Sequence, residues 1–170
     1  MQTATTPEPS ARTTPTSAPA AEVEKALAKR SFATLATTSN QARSHVAGVI
    51  YALADDALFV STLRSSRKAR NILANPAVAM TVPVRRIPVG PPSTIQFQSR
   101  AEVLDATSPT ITDLVERGEL KKITGHGELE LEDGCFLRIP LPRRLVTYGL
   151  GMSLRALIAD PLSAGGIVER

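Results

Sequence analysis

Tryptophan is absent from this chain of 170 residues, aromatic residues make up only 4% of it, and there is a single cysteine. One thiol, Cys135, excludes an internal disulfide and any zinc site built from cysteines. Two histidines, His45 and His126, are too few for a dedicated metal centre of the common kinds. No apolar run approaches the roughly twenty residues of a membrane span, so no membrane is expected as a partner. The amino terminus has no basic stretch followed by an apolar one, so no secretory signal is expected and the cytoplasm is the default. With few aromatics for stacking and no nucleic-acid-binding motif, nucleic acid is not an expected partner either.

What is present suits one globular domain. Hydrophobic residues make up 42% and charged residues 21%, and the formal net charge is +4. The mild basic excess favours anionic partners without naming one. Residues 1–20 are mostly Thr, Pro, Ala and Ser and have too little apolar surface to offset the entropy of ordering. They read as a disordered tail. The domain is expected over residues 21–160, followed by a carboxy-terminal tail over 161–170.

Patterning within the domain alternates between two periods. From Ala21, acids precede bases around Val23, Ala26 and Leu27, which predicts a short amphipathic helix. Residues 31–38 predict a strand, and 39–41 have turn chemistry. Residues 43–53 are β-rich, Ala54-Asp55-Asp56-Ala57 predicts a hairpin turn, and 58–61 return. A helix is expected from about Ser66 to Ala74, then a strand over 78–82. Residues 83–92 hold four prolines and a glycine and are expected as a loop. Residues 93–105 alternate well enough for one long strand. Ser108-Pro109 opens a helix that Gly118 ends. Residues 128–131 fit a strand or a helix end, Asp133-Gly134 a hairpin turn, 135–139 and 144–148 strands, and 154–158 a short helix. Many short antiparallel strands with helices around them predict an α+β, mainly β fold: a small barrel with helices at its edges.

The most unusual stretch is the junction between residues 58–63 and the helix after Ser66. Arg64, Arg67, Lys68 and Arg70 crowd a helix start, where the helix dipole favours negative charge, and no acid stands among them. Free backbone N–H groups, serine hydroxyls and these cations can converge on a phosphate. The plain alternative is a solvated basic helix.

Phe32-Ala-Thr-Leu-Ala-Thr37, Ser44-His-Val-Ala-Gly-Val49, Val60-Ser-Thr62, Ser66-Arg-Lys-Ala-Arg-Asn71 and Asn75-Pro76, in that order, resemble the flavin-binding split barrel. This is the pyridoxamine 5′-phosphate oxidase-like group, which includes flavin- and deazaflavin F420-dependent reductases. The resemblance covers residues 21–105 well and the remainder loosely. It implies a homodimer of six-stranded antiparallel Greek-key barrels, with FMN, or alternatively F420, in a groove between protomers. By position, Arg67 and Lys68 would bind the cofactor's phosphate, with Ser66 and Thr62 hydrogen-bonding to it. The strand from Arg43 would pass along the ribityl chain and ring through His45, Val46, Ala47 and Gly48. Gly48 would let the ring approach the backbone, and Asn71 would reach the same groove.

The oxidase that makes pyridoxal phosphate is similar but carries a tryptophan and an Arg-Leu-x-Pro signature near its carboxy terminus. This chain has no tryptophan and ends Gly165-Gly-Ile-Val-Glu-Arg170, so a true pyridoxamine phosphate oxidase is not expected. The expected activity is hydride transfer between bound FMN or F420 and a small molecule, with the cofactor doing the chemistry. The alternative is a non-catalytic flavin carrier or sensor of the same fold. His126 and the pairs Lys121-Lys122, Arg143-Arg144 and Arg85-Arg86 are read as solvated, Tyr148 as packing, and Cys135 as an inert core thiol.

Overall fold

A computed structural model describes residues 18–84 and 93–170. The expected mainly β split barrel forms, with ten strands among the described residues divided between two antiparallel sheets. Helix α1 (Ala20–Lys29) leads into β1 (Phe32–Thr38), β2 (Ser44–Ile50), β3 (Ala52–Ala54) and β4 (Ala57–Leu63). Then come α2 (Arg67–Ala74), β5 (Ala77–Val84), β6 (Ser93–Arg100), β7 (Glu102–Asp105), α3 (Pro109–Glu116) and α4 (Lys121–Thr124). Strands β8 (Gly134–Pro140) and β9 (Arg144–Tyr148), helix α5 (Leu154–Ala159), one 3-10 turn and β10 (Gly165–Glu169) complete the chain. The six-stranded sheet runs β10-β9-β6-β5-β1-β2, and the four-stranded sheet β3-β4-β8-β7.

The main core lies between the sheets, where Leu35, Met80 and Ile95 of one meet Leu58, Val60 and Leu137 of the other. The second face of the four-stranded sheet is covered by α3 and α4, whose Ile111, Leu114 and Ile123 pack on Phe59 and Phe136. Tyr51, fully buried between β2 and β3, donates its hydroxyl to the Leu27 carbonyl at 2.8 Å. That bond satisfies a carbonyl near the end of α1 and ties the helix to the barrel. Burial pushes the Tyr51 phenol well above its ordinary range. The β3–β4 hairpin turns through Asp55 and Asp56, both with positive φ (42° and 58°), as a two-residue turn of the twist-compatible hand requires.

Several expectations are corrected. Ala18 and Pro19, read as tail, are ordered: Ala18 is buried, packed against Gly151, and Pro19 caps α1. Residues 1–17 lie outside the described residues. Pro83 and Val84 extend β5 and do not belong to a loop. The proline is tolerated because β5 leaves its β1 pairing after Thr81, so that side of the strand has no partner there. The rest of the expected loop, with Arg85 and Arg86, is outside the described residues.

Residues 93–105 are two strands in different sheets. The break is at Ala101, which is buried and sends its N–H to the Pro76 carbonyl at 2.9 Å, outside either ladder. Residues 128–131 form turns, neither strand nor helix, after Gly127 at φ +87°. The supposed tail over 161–170 contains β10, which pairs along β9 and buries Val168.

Candidate cofactor cleft and its neighbour

Beyond β4 the chain turns into α2 through a network of local bonds. Ser66 is the N-cap, in extended conformation, and its hydroxyl oxygen accepts the Ala69 N–H at 3.3 Å. Thr62 donates its own hydroxyl to that oxygen at 3.3 Å. The two residues expected to meet a phosphate therefore also hold the turn that presents α2.

The structure supplies two acids that are distant in sequence. Asp133, just before β8, accepts the Arg64 N–H through its carbonyl (2.8 Å) and the Ser65 N–H through its carboxylate (3.0 Å). Ser65, through its hydroxyl and its backbone N–H, holds the Asp133 carboxyl below its ordinary range. Asp105 pairs with the Arg64 guanidinium. Arg64 is thus neutralised, and the junction has more negative charge than its local sequence displays.

Arg67, Lys68 and Arg70 remain, and they do not converge. Lys68 lines a first cleft of about 350 Å³ with Gly48, Val49 and Ile50 of β2, Val60 and Ser61 of β4, and Lys122, Ile123, His126 and Glu128. Burial lowers the Lys68 pKa from its ordinary value, with a minor opposing influence from the nearby Cys135 thiol. No described carboxylate forms an ion pair with it. A partly desolvated ammonium without a counter-ion is a ready receptor for an oxyanion. The opposite wall is built by α4 and the loop after it. Lys122 donates to the Ala28 carbonyl at 3.1 Å, and Glu128 accepts the His126 N–H at 2.8 Å, which fixes the loop. That contact also lowers the Glu128 pKa.

Arg43, His45, Arg67, Arg70 and Asn71 line a second cleft of about 340 Å³, beside the β1–β2 hairpin. Asn71 is buried and gives its amide N–H to Thr37 Oγ1 at 3.0 Å, locking α2 onto β1. Four of the ten expected site residues thus belong to this cleft and not to that of Lys68. Val46 points out of the outer sheet face with 63% of its surface exposed, while Ala47 faces inward. Gly48 reaches the first cleft, but its open side is already used. A Cβ there would stand 3.0 Å from Phe32 Cε2, so the glycine accommodates the ring of its diagonal cross-strand neighbour.

Residue reading missed Ser61, Lys122 and Glu128 as cleft residues. His126 is exposed as expected, yet it stands in the cleft wall. The available signal was His126, flanked by Gly125 and Gly127 and four residues after Lys122. Cys135 is buried, and burial pushes its thiol up, as fits an inert core group.

A two-sheet antiparallel split barrel, with a cationic cleft where β4 turns into α2, defines the class. Residues 19–122 match the family described as pyridoxamine 5′-phosphate oxidase, and the chain belongs to that family. No curated protein matches the chain. Among solved structures it is similar to HutZ, the heme storage protein from Vibrio cholerae, at 21% identity and TM-score 0.65, over 79% of this chain and 97% of that one. It is also similar to an FAD-binding protein from Mesorhizobium loti, at 20% identity and TM-score 0.57, over 72% and 89% of the two chains. An F420 reductase matches at 23% identity and TM-score 0.50, over 69% and 90%. At these identities the likeness establishes the fold. No helix among the described residues is long and apolar enough to cross a membrane.

Proposed function

We propose that this protein is an oxidoreductase that binds FMN or F420 in the first cleft and transfers hydride to or from a small molecule. The carrying observation is Lys68, partly desolvated and free of any described ion pair, in a cleft walled by the β2 segment Gly48–Ile50 and by Ser61. A phosphorylated ring cofactor fits this donor set: one cation for the phosphate, a hydroxyl for the polyol chain, and a strand backbone along which a ring can lie. The bound cofactor supplies the two-electron chemistry. Lys68 holds its anionic end, Ser66 and Thr62 fix the turn that aims Lys68, and the facing wall presents Lys122, His126 and the Glu128 carboxylate to a substrate. The family and the F420- and FAD-binding relatives support this reading.

The functional unit in this proposal is a homodimer. The outer face of the six-stranded sheet has no covering element among the described residues. Phe32, Val46, Ile50, Val146 and Ile167 all project from it, each at least 40% exposed. A second copy on that face would cover these apolar side chains and close the cleft beside Ile50.

The second reading is a cofactor binder without turnover. His126 favours it, because an imidazole in the cleft wall can ligate a heme iron, and HutZ is a heme storage protein. Titration of the purified protein with FMN, F420 and hemin, followed by absorbance, decides between them. Tight FMN or F420 binding with reduction and reoxidation by an acceptor is expected. Binding of hemin alone would overturn the oxidoreductase.

A further inference from the structure

Helix α5 and the 3-10 turn after it form an excursion from the end of the six-stranded sheet. The chain leaves β9 at Gly149 and returns at Ala164, whose carbonyl accepts the Gly149 N–H at 2.8 Å. Leu157 is buried against Gly149 and fixes the helix there. Leu154, Ile158 and Leu162, spaced four apart, are 39%, 64% and 96% exposed. Three large apolar side chains left in water on one short excursion call for a partner surface.

Strand register indicates which surface. Side chains on the outer face of the sheet stand in rows that cross all six strands. One row begins with Ile167 on β10 and passes Val146, Gln96, Thr81 and Thr34 to Gly48 on β2. The next row runs from Gly165 on β10 to Ile50 on β2, at the end of the sheet from which α5 departs. The edges of these rows are opposite in shape. Nothing stands within 4 Å of a Cβ placed on Gly165, while Ile50 at the far edge projects half exposed. Ile167 projects too, and at its far edge Gly48 has only the Phe32 ring over it.

A second copy packed face to face on this sheet has its two-fold axis in the plane between the two sheets. An axis along the strands keeps the rows matched and lays β10 of each copy over β2 of the other. Ile50 then fills the space at Gly165, and Ile167 meets the Phe32 ring. An axis across the strands that covers the same face sets the Glu169 carboxylate at Gly165 instead, and strips it of water. We propose that the dimer takes the first arrangement, and that α5 of each copy forms an apolar wall of the first cleft in the other. Leaving the Gly165 end of its sheet, that helix comes to lie beside Ile50, where the cleft lined by Gly48, Val49 and Ile50 opens. Leu154, Ile158 and Leu162 are covered there and keep water from the ligand. The inference rests on the dimer reading above and names the element by which one copy completes the site of the other.

In one chain, residues 50 and 165 stand on opposite edge strands, about 24 Å apart at the strand spacing and far beyond disulfide reach. Ile50→Cys with Gly165→Cys is therefore expected to give a disulfide-linked dimer on a non-reducing gel, and Cys135, being buried, does not compete. Ile158→Cys with Lys122→Cys, bridged by a short bismaleimide, should also give a covalent dimer. Ile158→Gln with Leu162→Gln, both at exposed positions, should weaken FMN at least fivefold. A dimeric wild type in which neither cysteine pair links, or in which Ile167→Cys alone links to its own copy, overturns the arrangement and leaves the dimer standing. Unchanged FMN affinity in the glutamine variant overturns the apolar wall. A monomeric wild type removes the dimer and this inference together. A protein that takes up no FMN sinks the cofactor reading, and the two covalent links then decide this one.

Discussion

Arg67 and Lys68 are consecutive in the chain, yet Lys68 lines the cleft under α4 and Arg67 the one beside the β1–β2 hairpin. Their substitutions should therefore separate. Lys68→Ala removes a charge-assisted contact of about 1.5–3 kcal/mol and is expected to lower FMN or F420 affinity at least tenfold. Arg67→Ala should change it less than threefold. Equal losses in a fluorescence titration would show that one ligand uses both side chains.

Lys68 should also trade stability for binding. Burial lowers its pKa in the folded state, so holding the proton costs the fold stability at every pH below that lowered value. The cost fades as pH rises from the lowered value to the ordinary lysine value of 10.5, because the folded side chain then sheds its proton. Lys68→Met is expected to raise Tm at pH 7 and to raise it less at pH 11. A uniform gain across that range would mean that packing, and not charge, is responsible.

The bond from Asn71 to Thr37 is buried at both ends. Asn71→Ala leaves the Thr37 hydroxyl short of a partner and should destabilise by about 1–3 kcal/mol in urea unfolding. Combined with Thr37→Val, the loss should fall short of the sum of the singles by about 1 kcal/mol. Strict additivity would rule the bond out as the clamp on α2.

Asp133 gives the junction an acid dependence. Its carboxyl is held below the ordinary 3.8 by Ser65, so its contribution is present above that value and disappears as pH falls through the lower, folded one. Asp133→Ala should flatten the acid limb of the Tm–pH curve and speed amide exchange at Ser65 near neutral pH. An unaltered acid limb would assign that limb to other carboxylates.

The proposed dimer is tested through its exposed apolar side chains. Sedimentation should give the wild type twice its 18.1 kDa chain mass. Val46→Glu with Ile50→Glu should give the single-chain mass with an intact circular dichroism spectrum. A monomeric wild type removes the dimer from the proposal.

Local chemistry wrote much of this fold into the sequence. Ser66, a basic run and Asn75-Pro76 set the bounds of α2 to within a residue, because caps and breakers act over three or four positions. Asp55-Asp56 fixed the β3–β4 hairpin for the same reason. The alternation of residues 93–105 was real, but it continues unbroken across Ala101, where only a contact with Pro76 moves the chain from one sheet to the other. Glycine and short β-branched runs did not announce β10, which exists because β9 offers it an edge. The cationic helix start was plain in the sequence. Only the folded chain brought Asp133 and Asp105 to it, divided Arg67 from Lys68, and set Lys122 and His126 opposite. Helix phase and strand register decide which way a side chain points, and contacts between distant segments decide what it meets. Local sequence encodes the first and leaves the second to tertiary packing.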